Sequence, residues 1–195
     1  MDDPDIDVDS ILAQVREGEE DAAAQLLDYI HPLVMKIVWR RCPASVAEED
    51  MAQEIFVRVF KNIGQFSGKA HFNHWVSRIA VNTCITHLIK AKNRRNEIRK
   101  ADLSEEHQAV LDASVADESV AAPDEKVASL ELLTYLLERL DPRDRLILEL
   151  KELEQKSIKE ISALTGWTGV NVRVRAMRAK AKLRLYWKEM LESDR

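Results

Sequence analysis

Residues 157–183 read SIKEISALTGWTGVNVRVRAMRAKAKL, and how this stretch folds decides how the chain folds. Ser157 and Glu160 stand three apart ahead of an apolar run, the spacing of a capping box, in which each side chain satisfies the other's free backbone amide. Ile158, Ile161 and Leu164 then recur at helical intervals. Gly166 can adopt the left-handed conformation that closes a helix, and Thr168 can cap a second one after a tight turn. Helix, glycine turn and helix make a helix-turn-helix. On the second helix Val172, Ala176, Ala179, Leu183 and Trp187 form an apolar stripe expected to pack on the first. Asn171, Arg175, Arg178 and Lys182 share another side, with Arg173, Lys180 and Arg184 at the stripe's far edge. A major groove accepts one such helix; arginine forks to guanine, asparagine pairs with adenine, and the remaining cations meet phosphate. A basic amphipathic helix also suits an acidic protein or a membrane surface, but the capped helix and glycine turn upstream favour a DNA reader.

Working outward, Leu130, Leu133, Leu137 and Leu140 keep helical spacing, and Asp141-Pro142 opens a further helix with proline in its first turn. Residues 101–125 carry eight acids and no base, whereas residues 173–188 carry seven bases and no acid. The net charge of −5 therefore hides a polarised chain and does not exclude a nucleic-acid partner. The acidic stretch lacks periodic apolar residues, so residues 97–126 read as a flexible linker.

The region 8–96 is helical again. Leu26, Ile30, Leu33 and Ile37 form one stripe within residues 21–41, where Pro32 is expected to bend or split the helix. In DMAQEIFVRVFK, residues 50–61, Ala52, Ile55, Phe56 and Val59 make the apolar side. Asp50, Gln53 and Glu54 lie opposite. Val57 breaks the pattern by projecting from the polar side between Gln53 and Lys61. A loop at residues 65–72 precedes another helical stretch that ends in the basic run KAKNRRNEIRK.

The chain has 195 residues, 46% apolar and 32% charged, with 5 Gly and 5 Pro. That composition predicts an all-α protein of two small helical domains, 8–96 and 127–192, joined by the flexible acidic linker. No run approaches the roughly 20 apolar residues of a membrane helix, and the acidic start is unlike a secretion signal. A cytoplasmic protein with no membrane insertion is expected. Cys42 and Cys84 lack metal or disulfide spacing. His71 and His74 have no third ligand nearby in sequence, so neither metal nor cofactor is expected.

DMAQEIFVRVFKNIGQF followed by FNHWVSRIAVNTCITHLIKAKNRR resembles the second conserved region of extracytoplasmic-function (ECF) sigma factors of the sigma-70 family. SIKEISAL with TGWTGVNVRVRAMRAKAKL resembles their fourth region. The resemblance covers about residues 20–96 and 130–188, and the short linker is similar to that of a group lacking the third domain of larger sigmas. It implies a subunit, not itself an enzyme, that binds core RNA polymerase, recognises −10 and −35 promoter elements and assists promoter opening. Asp50, Gln53, Glu54, Val57 and Lys61 would then meet the β′ clamp helices, and the fourth region the β flap. Asn82 matches the start of a loop that captures an unstacked −10 base, with Thr83, Thr86, His87, Lys90, Arg94 and Arg95 nearby. Lys92 would grip phosphate beside them.

Asn171, Arg173, Val174, Arg175, Met177, Arg178 and Lys182 match positions facing the −35 element. Arg173 and Arg178 are the expected base contacts, and Arg175 and Lys182 the phosphate contacts. The linker would enter the polymerase near its RNA path, and an anti-sigma factor is a further implied partner. Two readings of other classes stand beside this one. A sigma-mimicking adaptor would bind an anti-sigma without DNA and would be expected to lose the basic helix. A plain helix-turn-helix regulator would not need the Asp50–Phe60 helix.

Overall fold

The computed structural model describes residues 7–102 and 125–193. Its described residues pack as two compact units, residues 1–88 with 158–169 and residues 89–157 with 170–195. They are helical, and no strand occurs among them.

The first unit begins with α1 (Val8–Glu17), capped by the Asp7 carboxylate, which accepts from the Ser10 amide at 3.2 Å. Gly18, at φ 92°, ends it, and α2 (Glu20–Arg41) follows. Pro32 does not split α2; the helix is continuous through it. Proline removes one amide donor, but Asp28 and Pro32 both lie exposed, where water can take the freed carbonyl. Leu26, Ile30, Val34, Ile37 and Val38 are buried along α2, while Leu33 is only half-buried. The apolar face is therefore rotated slightly from the stripe the spacing predicts.

Against α2 packs α3 (Glu48–Asn62), which buries Met51, Ala52, Ile55 and Val59. Phe56 is half-buried and stacks on His31 with ring centroids 5.8 Å apart. Each fully buried Leu, Ile or Val contributes about 1.5–3 kcal/mol, so this face anchors α3 and leaves its opposite side presented. A 3-10 turn (Ile63–Gln65) leads to the loop, whose Phe66 meets Phe72 and Trp75 at 5.2 and 5.5 Å. Arg16 of α1 fastens the loop by donating to the carbonyl of Phe66 at 2.8 Å.

The long helix α4 spans Phe72–Asp102. Its first half buries Phe72, Val76, Ala80, Val81, Cys84 and Ile85. Asn73 Nδ2 donates to the Tyr29 hydroxyl at 3.1 Å, tying α4 to α2.

In the second unit, α5 (Glu125–Arg139) and α6 (Pro142–Leu148) are followed by a π-helical turn (Glu149–Leu153). Asp141 caps α6 by accepting from the Arg143 amide at 3.0 Å, with Pro142 in the first turn, as the sequence predicts. Leu137, Leu140, Leu148 and Ala179 form the core, with Leu183 and Tyr186 packed against it.

Two helices follow, α7 (Ile158–Thr165) and α8 (Gly169–Ser193). They start directly after Ser157 and Thr168, where the caps are expected, and Gly166 sits between them at φ 75°. Glycine reaches that conformation without steric cost.

Residues 97–102 and 125–126, expected in the linker, are helical. The rest of the acidic stretch, 103–124, lies outside the described residues, as does most of the acidic N-terminus.

Candidate nucleic-acid interface

Three faces carry the candidate residues. On α3 the buried side faces α2, so Asp50, Gln53 and Lys61 are exposed and Val57 keeps 45% of its surface open. Glu54 is half-buried. Its Oε1 accepts a forked pair from Arg58, Nε at 2.9 Å and Nη2 at 2.7 Å, and its Oε2 lies 2.8 Å from His87 Nε2. Burial alone would raise the Glu54 carboxyl, but the bonds from Arg58 and His87 outweigh it and hold the group below the ordinary carboxylate range. The polar face is thus partly preset: Glu54 is fixed, with Val57 open beside it.

The second face belongs to α4. The expected loop after Asn82 is absent; α4 runs unbroken from Phe72 to Asp102. Asn82 is half-buried, and its Nδ2 donates to the Thr165 carbonyl at 3.1 Å. Thr86 is exposed, its hydroxyl donating to the Asn82 carbonyl at 2.8 Å.

Thr83 differs from expectation. It is 2% exposed, and its hydroxyl donates to the Ile79 carbonyl at 2.8 Å; the pitch of the unbroken helix turns it inward. His87 likewise turns toward Glu54. Lys90, Arg94 and Arg95 are exposed on the basic run. Lys92 is not a free phosphate grip, because its Nζ donates to the carbonyls of Leu140 at 2.7 Å and Arg139 at 3.2 Å. Partial burial lowers its pKa, opposed by the charge of Asp141. Helix C-termini leave unpaired carbonyls that a cation satisfies, and Lys92 serves the end of α5.

The third face is on α8. Val172, Ala176 and Ala179 are buried, as the wheel predicts, but Trp187 is 44% exposed. Tyr186 takes the inner place, under the Arg139 guanidinium at 4.4 Å. Asn171, Arg173, Arg178 and Lys182 are exposed, Met177 is 66% exposed, and Val174 and Arg175 are half-buried. Arg175 Nε donates to Asn171 Oδ1 at 3.0 Å, and its Nη1 to Asp144 Oδ1 at 2.9 Å; Lys182 Nζ reaches Asp144 Oδ2 at 3.0 Å. Asp144 is 5% exposed and escapes notice in the sequence, since it stands 31 and 38 residues from its two partners. His87 escapes for the same reason, 33 residues from Glu54.

Among the described residues no group of three His, Cys, Asp or Glu could hold a metal, and no helix is long and apolar enough to cross a membrane.

Residues 26–94 match the family described as sigma-70 region 2, and residues 130–183 match sigma-70 region 4. The two lie in that order and together span more than half of the chain. The chain is 27% identical over 176 residues to the ECF RNA polymerase sigma factor SigW of Bacillus subtilis, covering 89% of this chain and 92% of that one. It is 28% identical over 173 residues to the ECF RNA polymerase sigma-E factor of Escherichia coli K12, covering 87% and 88%. A solved structure titled as the sigma factor RpoE in complex with the anti-sigma factor NepR from Bartonella quintana aligns at a TM-score of 0.48 and 21% identity, over 88% of this chain and 98% of that one. With both region models matched in order and full-length relatives of one kind, the chain belongs to the ECF group of the sigma-70 family of RNA polymerase sigma factors.

Proposed function

We propose that this sigma factor divides its work between two domains, residues 8–96 and 127–192. The first docks on core polymerase and engages the −10 element; the second reads the −35 element. Residues 97–126 join them. The observation that carries the docking assignment is Val57, an aliphatic side chain 45% exposed among Asp50, Gln53, Glu54 and Lys61. An open aliphatic group framed by polar ones matches the centre of a protein interface, where apolar contact supplies energy and the polar rim supplies register. The β′ clamp helices are the partner assigned to this face, and the β flap is assigned to the second domain.

On α4, the Asn82 amide would exchange the Thr165 carbonyl for the edge of an unstacked base. Extruding a base costs a few kcal/mol, so the amide's paired donor and acceptor must recover part of that. Thr86 lies one turn on, and exposed Lys90, Arg94 and Arg95 would hold the backbone. Thr83 supports α4 from inside, and His87 acts through Glu54.

On α8, Arg173 and Arg178 are the base-reading candidates, with Asn171 beside them. Val174 and Met177 are placed for thymine methyl groups, and Arg175 and Lys182 for phosphate. The factor would act in the cytoplasm as a subunit without an active site or cofactor of its own. An anti-sigma factor covering the α3 and α8 faces is a fitting regulator.

The test is run-off transcription with core polymerase on templates recovered by selection of bound sequences. Gln53→Ala/Glu54→Ala should abolish transcripts by loss of core binding. Arg173→Ala/Arg178→Ala should abolish −35-dependent transcripts with core binding intact. If the first pair leaves core binding unchanged, the docking assignment fails. A wild-type chain that captures an anti-sigma factor but neither binds core nor directs a transcript would be an adaptor instead.

A further inference from the structure

Asp144 sits in the first turn of α6, 5% exposed, yet its carboxylate carries two cations of α8. Arg175 Nη1 donates to Oδ1 at 2.9 Å and Lys182 Nζ to Oδ2 at 3.0 Å. The two cations are seven residues apart, two turns along one side of α8, and their long side chains converge on the one carboxylate. The arrangement continues outward, because Arg175 Nε donates to Asn171 Oδ1 at 3.0 Å. Three of the residues assigned to the −35 face therefore belong to one hydrogen-bonded network with the buried Asp144, which comes from another helix.

Such a network does two things. It holds rotamer-rich side chains in place before DNA arrives, which lowers the entropy lost on binding. It also sets two positive charges against one negative charge. The salt-dependent, sequence-independent part of DNA affinity grows with the number of phosphates neutralised. A carboxylate that cancels one charge weakens grip on any duplex while leaving base-reading groups in register.

We infer that Asp144 is a positioning residue for the −35 face: buried in the second unit, it fixes Arg175 and Lys182 and cancels one of their charges, so that α8 discriminates between sequences rather than gripping any backbone. This rests on the reading of α8 as the −35 reader.

The test is selection from a pool of random duplexes by full-length chain bound to core polymerase, with retention of a fixed non-cognate duplex measured across a salt series. Asp144→Asn should retain more non-cognate duplex, with a steeper salt dependence. Its discrimination at the −35 positions should fall by about five- to tenfold, near the low end of what one mismatched base pair costs. Asp144→Asn/Lys182→Met removes the surplus cation as well. Its non-cognate retention should fall below that of Asp144→Asn while the selected −35 motif stays blurred. Asp144→Glu, which keeps the carboxylate, should restore much of the motif.

If Asp144→Asn and the double variant both select the wild-type motif at wild-type sharpness, Asp144 is a packing residue only and the inference is overturned. A melting curve shows whether Asp144→Asn folds; if it does not, the charge-balanced double variant decides. A separate control is Arg173→Ala/Arg178→Ala. If wild type selects no −35 motif and this pair changes nothing, the failure lies in the reading of α8 itself.

Discussion

Replacing Val57 by aspartate tests the docking face at its most exposed apolar point. Val57 keeps 45% of its surface in the free chain. Full burial of a valine-sized side chain contributes about 1.5–3 kcal/mol, so closing over the remaining surface supplies roughly 0.7–1.4 kcal/mol at that rate. Val57→Ala gives up most of this, and core polymerase binding should weaken by about three- to tenfold. Val57→Asp gives up all of it and buries a carboxylate beside Asp50 and Glu54 with no partner of its own. That adds a desolvation and repulsion cost of several kcal/mol, and binding should fall by at least a further tenfold.

The fold should tolerate both changes, since surface substitutions usually stay within about 0.5 kcal/mol. The assay is titration of labelled full-length chain with core polymerase at fixed ionic strength, with thermal melting of each variant alongside. Wild-type affinity in Val57→Asp, with melting unchanged, would refute the claim that this side of α3 is buried on docking. Weakened binding with a large drop in melting temperature would instead place Val57 in the fold of the free chain.

Other consequences follow from particular side chains. Glu54 is held below the ordinary carboxylate range, so its ionised form favours the fold; that contribution is present above the unfolded-state value and is lost as pH falls through the lowered folded value. Urea unfolding of wild type and Glu54→Gln should therefore differ at pH 7, and the difference should shrink as pH falls through and below the ordinary carboxylate range; a gap independent of pH contradicts the assignment. Thr83→Val removes a hydroxyl bonded only to its own helix at Ile79, and should cost about 1 kcal/mol or less of stability while leaving promoter binding unchanged. A specific loss of −10 binding in a footprinting assay would return Thr83 to the DNA face. Burial raises the Cys84 thiol to about 12, and the side chain is fully covered. Alkylation at pH 8, read by mass spectrometry, should leave Cys84 unmodified in the folded chain and modify it in denaturant; rapid labelling in the native state would contradict the packing of α4.

Local chemistry made the helices legible. The Asp141-Pro142 start and the Gly166 turn each act within a few residues and appear where expected; the three- and four-residue recurrence of leucine and isoleucine gave the helices but not the exact buried arc, since Leu33 is half-buried and Leu133 exposed. Val57 was legible for a related reason: one apolar residue on a polar side violates a local pattern. What could not be read were interactions set by packing. Glu54 finds His87 and Asp144 finds Arg175 and Lys182 over distances in sequence that no periodicity spans. Trp187 was misplaced because a wheel fixes angles on one helix and not which arc a neighbour covers, whereas Thr83 was placed by family resemblance and lies buried in this chain. Pro32 is a milder case, where an exposed position let the helix continue past a missing donor. The loop expected at Asn82 came from family resemblance, and the free chain folds that segment as unbroken helix.

The most direct measurement is transcription of fragmented genomic DNA from the source organism by core polymerase with and without the chain, with transcript 5′ ends mapped. A discrete set of start sites should appear only when the chain is added. These sites should share upstream −10 and −35 elements, and they should vanish with Val57→Asp. Start sites identical with and without the chain, despite stable binding to core polymerase, would contradict the promoter-recognition role.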